Sequence, residues 1–500
     1  MLQKQDGLSA ALSTLIFKSL LFFFAFLKHI IIAGAIGLTV KLDIFYMSIA
    51  IIGVLVSSWS HVFDVIAIPK LVNYIKLEKK IEIENLVGGF LSLSLIISGL
   101  ILAIFLIFPD IIAYMAFGFS EEMKNKLSDS FFWLLPAILL FLPLSLAGSI
   151  LKAKREFIIY YLYEILASII VLLSIYFYLN NSNVLYWSYS LSITIPFLII
   201  FVYINTSQIF WFKNPFNKEI LNLLTLVPLL FLLHGSNYLF IFSDRFFASF
   251  LGSGDISAIA YATTIIIIIP SVVGVPYYFL TLYSDESELS NKTRKVNDMM
   301  SLVIFFSIPS IVFMLFFSDN LISILFERGK FTGKDTLKVF SILQVFSVMI
   351  IPLLLQRAID QIFQVENKLH IIVYRTIFGL TLNITLNYIA LYHLKLGVIG
   401  IALATSIASI VVLVLSLISL HKLKLKIFWY RHLKWISWLI FCNFSIILFD
   451  HLIIVKNLPN IIELIIVIPL FLIIIPLSFI FYKGHERGLI EIVLKRMIGR

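Results

Sequence analysis

The chain has 500 residues, 61% of them hydrophobic and only 13% charged, with a mean hydropathy of +1.03. No soluble core hides that much apolar surface, so the composition excludes a soluble globular domain and predicts an all-α integral membrane protein. The formal charge of +10 does not point to nucleic acid, because the basic residues sit in short links between apolar runs rather than along a phosphate-binding stripe.

Fourteen apolar windows of about 20 residues, the length a bilayer core requires, follow one another. They are 14–36, 44–68, 86–108, 130–150, 157–179, 184–205, 221–243, 257–280, 299–317, 336–356, 370–392, 397–420, 433–454 and 461–482. The first starts soon after Met1-Leu2-Gln3-Lys4 and lacks a small-residue exit, so it is expected to stay as a helix and not to act as a cleaved signal. Prolines mark candidate kinks: Pro136 and Pro143 in the fourth window, Pro228 in the seventh, Pro270 and Pro276 in the eighth, Pro352 in the tenth. The single cysteine, Cys442, permits no internal disulfide and no cysteine metal cluster, and reads as a small core residue.

Placing the N-terminus in the cytoplasm puts 25 Lys and Arg on that side and 10 on the other, with Lys18, Lys28 and Arg375 inside spans. That bias predicts both termini inside and an even number of spans. The run His421-Lys422-Leu423-Lys424-Leu425-Lys426 then reads as a cytoplasmic anchor to anionic membrane lipids.

Two segments 215 residues apart match. Lys28 through Gly37 aligns with Ser243 through Gly252, and the register continues to Tyr46 over Tyr261. Both begin odd-numbered spans and so run the same way, which predicts a parallel repeat of six spans per half. The expected organisation is an N-terminal six-helix bundle (1–208), a pseudo-symmetric C-terminal bundle (209–421), and two further helices with a tail (422–500).

Charge inside these helices costs about 2.5–3.5 kcal/mol per residue on insertion scales, so it is expected to face a wet interior. Lys18 and Lys28 lie ten residues apart, about 80° around a helix and about 15 Å along it. His29 and Asp43 follow. His61 and Asp64 share a face at i, i+3, and the seventh span adds His234, Asp244 and Arg245. Such a cation-rich set attracts a phosphate-bearing ligand. Lys28, Arg245, Lys18 and His61 are the candidate binding residues; Asp43, Asp64 and Asp244 are the candidates for gating and ion pairing. Arg357 and Asp360 read as a local ion pair at a helix end. No HExxH, Walker or G-x-S-x-G signature occurs, no long polar loop exists, and the histidines lack metal spacing, so no catalytic residue, metal or cofactor is expected.

At these residues the chain resembles the lipid II flippase (mouse virulence factor) family of the multidrug/oligosaccharidyl-lipid/polysaccharide exporter superfamily. The resemblance rests on Ala33–Gly37 through Tyr46, on Asp244–Leu251 with Ile256–Ala262, and on Leu325-Phe326-Glu327-Arg328-Gly329-Lys330-Phe331-Thr332. Leu382–Asn387 and Gly397–Ser406 complete it. It implies an alternating-access flippase of the bacterial inner membrane for undecaprenyl-diphosphate-linked saccharides, lipid II or a related envelope glycan precursor. Spans one, two, seven and eight would line its cavity, and spans thirteen and fourteen would hold the lipid tail. Lys28 stands where a first-span Arg of the family is expected. Phe22, Val56–Ser58 and Thr263-Thr264 stand where other family charges are. The expected partners are the polyprenyl-diphosphate-linked saccharide, membrane lipids and a coupling ion, with no nucleic acid; a monomer is expected. The alternatives are a cation-coupled multidrug exporter, which would want a carboxylate-dominated cavity, and a membrane glycosyltransferase or ligase, which would want a large outward loop with paired carboxylates.

Overall fold

The computed structural model describes residues 7–205, 211–272, 283, 288–449 and 460–481; the side chains of 7–15, 57, 60, 61, 234, 269–272, 449, 460 and 472–481 lie outside that description. Every regular element among the described residues is helical. In order these are α1 (Gly7–Ile36), α2 (Val40–Ile52), α3 (Ser58–Lys76), α4 (Lys80–Ile107), α5 (Asp110–Tyr114), α6 (Glu121–Ala153), α7 (Phe157–Tyr178), α8 (Val184–Asn205), α9 (Lys218–Leu224) and α10 (Val227–Leu230). The chain continues with α11 (Ser236–Ala248), α12 (Asp255–Val272), α13 (Leu289–Phe316), α14 (Ser318–Phe326), α15 (Gly333–Ser347), α16 (Ile350–Val365), α17 (Leu369–Tyr388), α18 (Gly397–Lys422), α19 (Trp429–Phe449) and α20 (Asn460–Phe481). Within the described residues, each apolar window predicted from sequence falls on one helix or on consecutive helices; 273–280, 450–454 and 482 lie outside that description. Among the described residues eight helices are long and apolar enough to cross a membrane, or ten if each of two bent pairs is one span. The chain is thus an all-α, multi-pass membrane protein.

Local chemistry sets the helix ends. Ser120 caps α6 by accepting from the Met123 amide (3.4 Å), and Glu121, Glu122 and Lys152 put acid at its start and base at its end, as the helix dipole favours. Asn217 caps α9 (2.9 Å) and Thr332 with Asp335 forms a capping box on α15. Five-residue π-helical turns at Gly53–Ser57 and Phe231–Gly235 interrupt the second and seventh predicted windows, and one at Ile389–His393 ends the eleventh. A 46° bend separates α15 from α16, with Pro352 in the first turn after it; α6 runs as one helix through Pro136 and Pro143. Pro228 starts α10, whereas the Pro270 side chain and Pro276 lie outside the described residues.

Two compact units emerge: Met1–Ser257 with Arg328–Phe331, and Ala258–Glu327 with Thr332–Arg500. In the first, α6, α7 and α8 pack against one another and α1 packs on α7. Lipid gives apolar faces no reason to associate, so buried hydroxyls supply part of the attachment. Ser48 meets Ser130 at 3.1 Å, and Ser190 donates to the Trp133 carbonyl.

The second unit uses stronger polar ties. Arg375 on α17 pairs with Asp360 on α16 and donates to Ser416 on α18 (2.6 Å). The i, i+3 pairing of Asp360 with Arg357 expected from sequence is therefore replaced by a partner on the next helix. The helix α19 is clamped to α13: Trp435, fully buried, donates to the Ser301 carbonyl (3.0 Å), Arg431 pairs with Asp298 (2.9 Å), and His432 contacts Asn297 (3.0 Å). Phe317, Ile446, Leu464, Val467 and Phe471 form an apolar cluster joining α19 and α20 to the rest.

Candidate functional site

The first unit contains a cavity of about 350 Å³. Its charged lining is Lys28 from α1, Asp64 from α3, Lys152 from α6 and Glu164 from α7. Tyr160 and Tyr163 of α7, Tyr189 of α8 and Tyr238 of α11 add hydroxyls. Lys152 is committed: its Nζ lies 2.6 Å from Asp64 Oδ2 and 4.5 Å from the centre of the Tyr160 ring, while Ser149 donates to the other Asp64 oxygen at 2.6 Å. Lys28 is not: among the described residues no carboxylate comes within 4 Å of its Nζ, and Glu164 is the acid whose charge acts on it. The α6–α7 wall closes tightly because residue 148 is glycine; a Cβ there would stand 2.6 Å from the Tyr163 hydroxyl.

Beyond the other end of Lys28 the same unit holds a different arrangement. Asp43, 1% exposed in the first turn of α2, accepts from the Gly254 amide (2.5 Å), the Ser257 amide (2.8 Å) and the Ser257 hydroxyl (2.7 Å). It thus caps the start of α12 from another helix, satisfying amides that have no partner within α12. Beside it, the Lys330 amide donates to the Gly34 carbonyl (2.8 Å). Gly329 (φ +59°) and Gly37 (φ +70°) make that contact possible: a Cβ on Gly329 would stand 2.3 Å from the Gly34 oxygen, and one on Gly37 would stand 2.5 Å from the Lys330 oxygen. The Arg328-Gly329-Lys330-Phe331 segment is therefore a docking loop on the end of α1.

The predicted site residues separate into groups. Lys28 and Asp64 line the cavity. Asp43 lies in the α2–α12 cap. Arg245 donates to the Tyr46 carbonyl (2.5 Å) with its guanidinium 5.5 Å from the Tyr46 ring, and His29 stands 3.2 Å from the Tyr46 hydroxyl. Asp244, adjacent to Arg245 on α11, is buried. Lys18 is exposed, 5.7 Å from the Phe22 ring, and is not among the cavity's lining residues. His61 lies on α3, its side chain outside the described residues; Asp64 finds its partners on α6. Among the described residues none of α12 lines the cavity, whereas residues of α6, α7 and α8 do.

Sequence reasoning centred on cations and on the repeat passes over Glu164, although a carboxylate alone in the 157–179 window is itself a functional signal. It also places Lys152 among cytoplasmic orientation charges. The tyrosines carry no signal against a background of 21.

Comparisons with known proteins place the chain in a family. A probable lipid II flippase MurJ of Buchnera aphidicola subsp. Acyrthosiphon pisum (strain APS) is 28% identical over 425 residues, 80% of each chain. A solved lipid II flippase MurJ in an inward closed conformation shares the fold with a TM-score of 0.78 at 22% identity, covering 95% of this chain and 98% of that one. An inward-facing multidrug resistance MATE transporter of the MOP superfamily shares it with a TM-score of 0.69 at 15% identity, covering 81% and 95%. The family profile described as lipid II flippase MurJ matches residues 32–474, and the chain belongs to that family.

Proposed function

We propose that this protein moves lipid II across the bacterial inner membrane by alternating access, with the diphosphate drawn to Lys28. The observation that carries this reading is a lysine facing a polar cavity with no carboxylate at ion-pair distance among the described residues, beside a second lysine already held by Asp64. A diphosphate supplies the anionic oxygens that such an ammonium lacks. No chemical step on the substrate is needed, and the protein acts as a transporter, not an enzyme.

The surrounding reading is of fourteen spans in two pseudo-symmetric six-helix bundles (1–208 and 209–421) with two further helices (422–500). Both termini are cytoplasmic and the protein works as a monomer. The basic excess in the links supports that orientation. With the N-terminus inside, the cavity lies toward the cytoplasmic end of the bundle, next to the α6–α7 turn, and the Asp43 cap and the Lys330–Gly34 bond lie at the outer end. The cap then acts as an outer latch that must release for the head group to exit. Arg245 and Asp244 stand near that latch, Lys18 and His61 extend the cationic path on the inner side, and the α19–α20 pair holds the lipid tail. A transmembrane ion gradient or the membrane potential powers the cycle.

The test is binding of lipid II to the purified full chain. Lys28→Ala should weaken it about tenfold or more, the equivalent of one charge-assisted hydrogen bond of about 1.5–3 kcal/mol, while Lys28→Arg retains most affinity. Wild-type affinity in a folded Lys28→Ala protein removes Lys28 from the site.

A further inference from the structure

The cavity that holds Lys28 also holds Glu164, and a site for a bare diphosphate gains nothing from it. A carboxylate facing the same small volume repels the phosphates and weakens the cation that attracts them. Glu164 is not spent on an ion pair: among the described residues neither Lys28 nor Lys152 comes within 4 Å of it, and Lys152 is bonded to Asp64 instead. Around it the walls carry hydroxyls from Tyr160, Tyr163, Ser168 and Ser192, with the Tyr160 and Tyr163 rings edge to face at 5.3 Å. The cavity therefore offers positive charge from α1 and, from α7, an acceptor among groups that both donate and accept. A volume of about 350 Å³ sits at the small end of ligand pockets and has room for only part of a large head group. The part that fits both features is the phosphate together with the sugar joined to it, whose hydroxyls and acetamido N–H are donors.

We propose that Glu164 is a specificity-determining residue, accepting hydrogen bonds from hydroxyl or amide donors of the saccharide next to the diphosphate. The cavity thereby distinguishes a sugar-bearing polyprenyl diphosphate from the bare lipid. This rests on the reading of Lys28 as the phosphate-binding cation.

The experiment titrates the full chain in nanodiscs with lipid II and, separately, with undecaprenyl diphosphate. It uses the wild type, Glu164→Ala, Glu164→Gln and Lys28→Ala, each checked for an unchanged melting temperature. Glu164→Ala should lose about tenfold or more on lipid II, the value of a charge-assisted acceptor, and bind undecaprenyl diphosphate as well as or better than the wild type. Glu164→Gln, which keeps one acceptor oxygen, should lose less. Lys28→Ala should weaken both ligands. Equal losses of Glu164→Ala on both ligands, or no change on either, overturn the proposal and leave Glu164 as a counter-charge. If Glu164→Ala does not fold, the Glu164→Gln ratio of affinities decides, and a ratio equal to the wild type's rejects it. If Lys28→Ala binds both ligands normally while Glu164→Ala still shifts the ratio, the cation reading fails and the sugar contact stands.

Discussion

Asp43 offers the sharpest mutational test of the outer latch. Its carboxylate is buried and accepts from two backbone amides and one hydroxyl of the Gly254–Ser257 turn. Replacing Asp43 with Ala leaves the two amides without an acceptor in a site closed to water, at about 1–3 kcal/mol for each group left unsatisfied, while the Ser257 hydroxyl can turn to the Gly254 carbonyl (3.3 Å). Such costs are not additive where neighbours relax together, so the net loss should be about 3 kcal/mol. At 1.4 kcal/mol per factor of ten, local opening of the start of α12 rises about 100-fold. Asn, which keeps an acceptor oxygen but loses the charge and turns an NH₂ toward the donors, should cost about 1 kcal/mol. Hydrogen–deuterium exchange at the Gly254 and Ser257 amides reads this directly, since Asp43 is the acceptor for both. Exchange within twofold of the wild type in the Ala variant would refute the assignment of Asp43 as the cap.

Three other outcomes follow from neighbouring features. Gly329→Ala imposes a left-handed conformation on a residue with a Cβ, at about 1–2 kcal/mol, and drives that Cβ into the Gly34 carbonyl. The Lys330 amide should exchange faster, and an unaltered rate would show that the loop does not dock there. Arg375→Met strips Asp360 of its partner; because Asp360 keeps 29% side-chain exposure, the destabilisation should be about 2 kcal/mol, below the cost of breaking a fully buried pair. The Asp360→Asn, Arg375→Met double variant should recover part of that loss in thermal melts, and strict additivity would deny the coupling. At the α16–α17 turn, the hydrogen bond from Lys292 (2.8 Å) holds the Glu366 carboxyl below its usual pKa. A depressed folded pKa means this tie is complete above the ordinary carboxylate range and is lost as pH falls through the folded value. Glu366→Gln should flatten that acid limb of the stability profile, and an identical limb would rule the tie out.

The helices were legible because hydropathy over about 20 residues reports burial in lipid whatever the partners are. The helices α2 and α12 begin at Val40 and Asp255, 215 residues apart, the same spacing as the two matching segments. Partners were less legible. Spacing along one helix suggests His61 for Asp64 and Arg357 for Asp360, but the ion pairs form with Lys152 and Arg375 on adjacent helices. Local periodicity names which residues share a face, and only packing decides what that face meets. Asp43 was a candidate for gating or outer-side pairing, and its partners are two backbone amides and a hydroxyl more than 200 residues away, which no local side-chain pattern can announce. The glycine that opens the π turn at Gly53–Ser57 likewise has its reason across the bundle: a Cβ on Gly53 would stand 2.8 Å from the Tyr238 ring.

At the centre of this account, the cavity that holds Lys28 serves the head group of lipid II. Depleting the protein in its host and identifying the polyprenyl-linked precursor that builds up on the cytoplasmic leaflet tests it most directly. Accumulation of lipid II, reversed by the wild-type chain but not by Lys28→Ala, is the predicted result. Accumulation of a different glycan-bearing lipid, or of none, would contradict it.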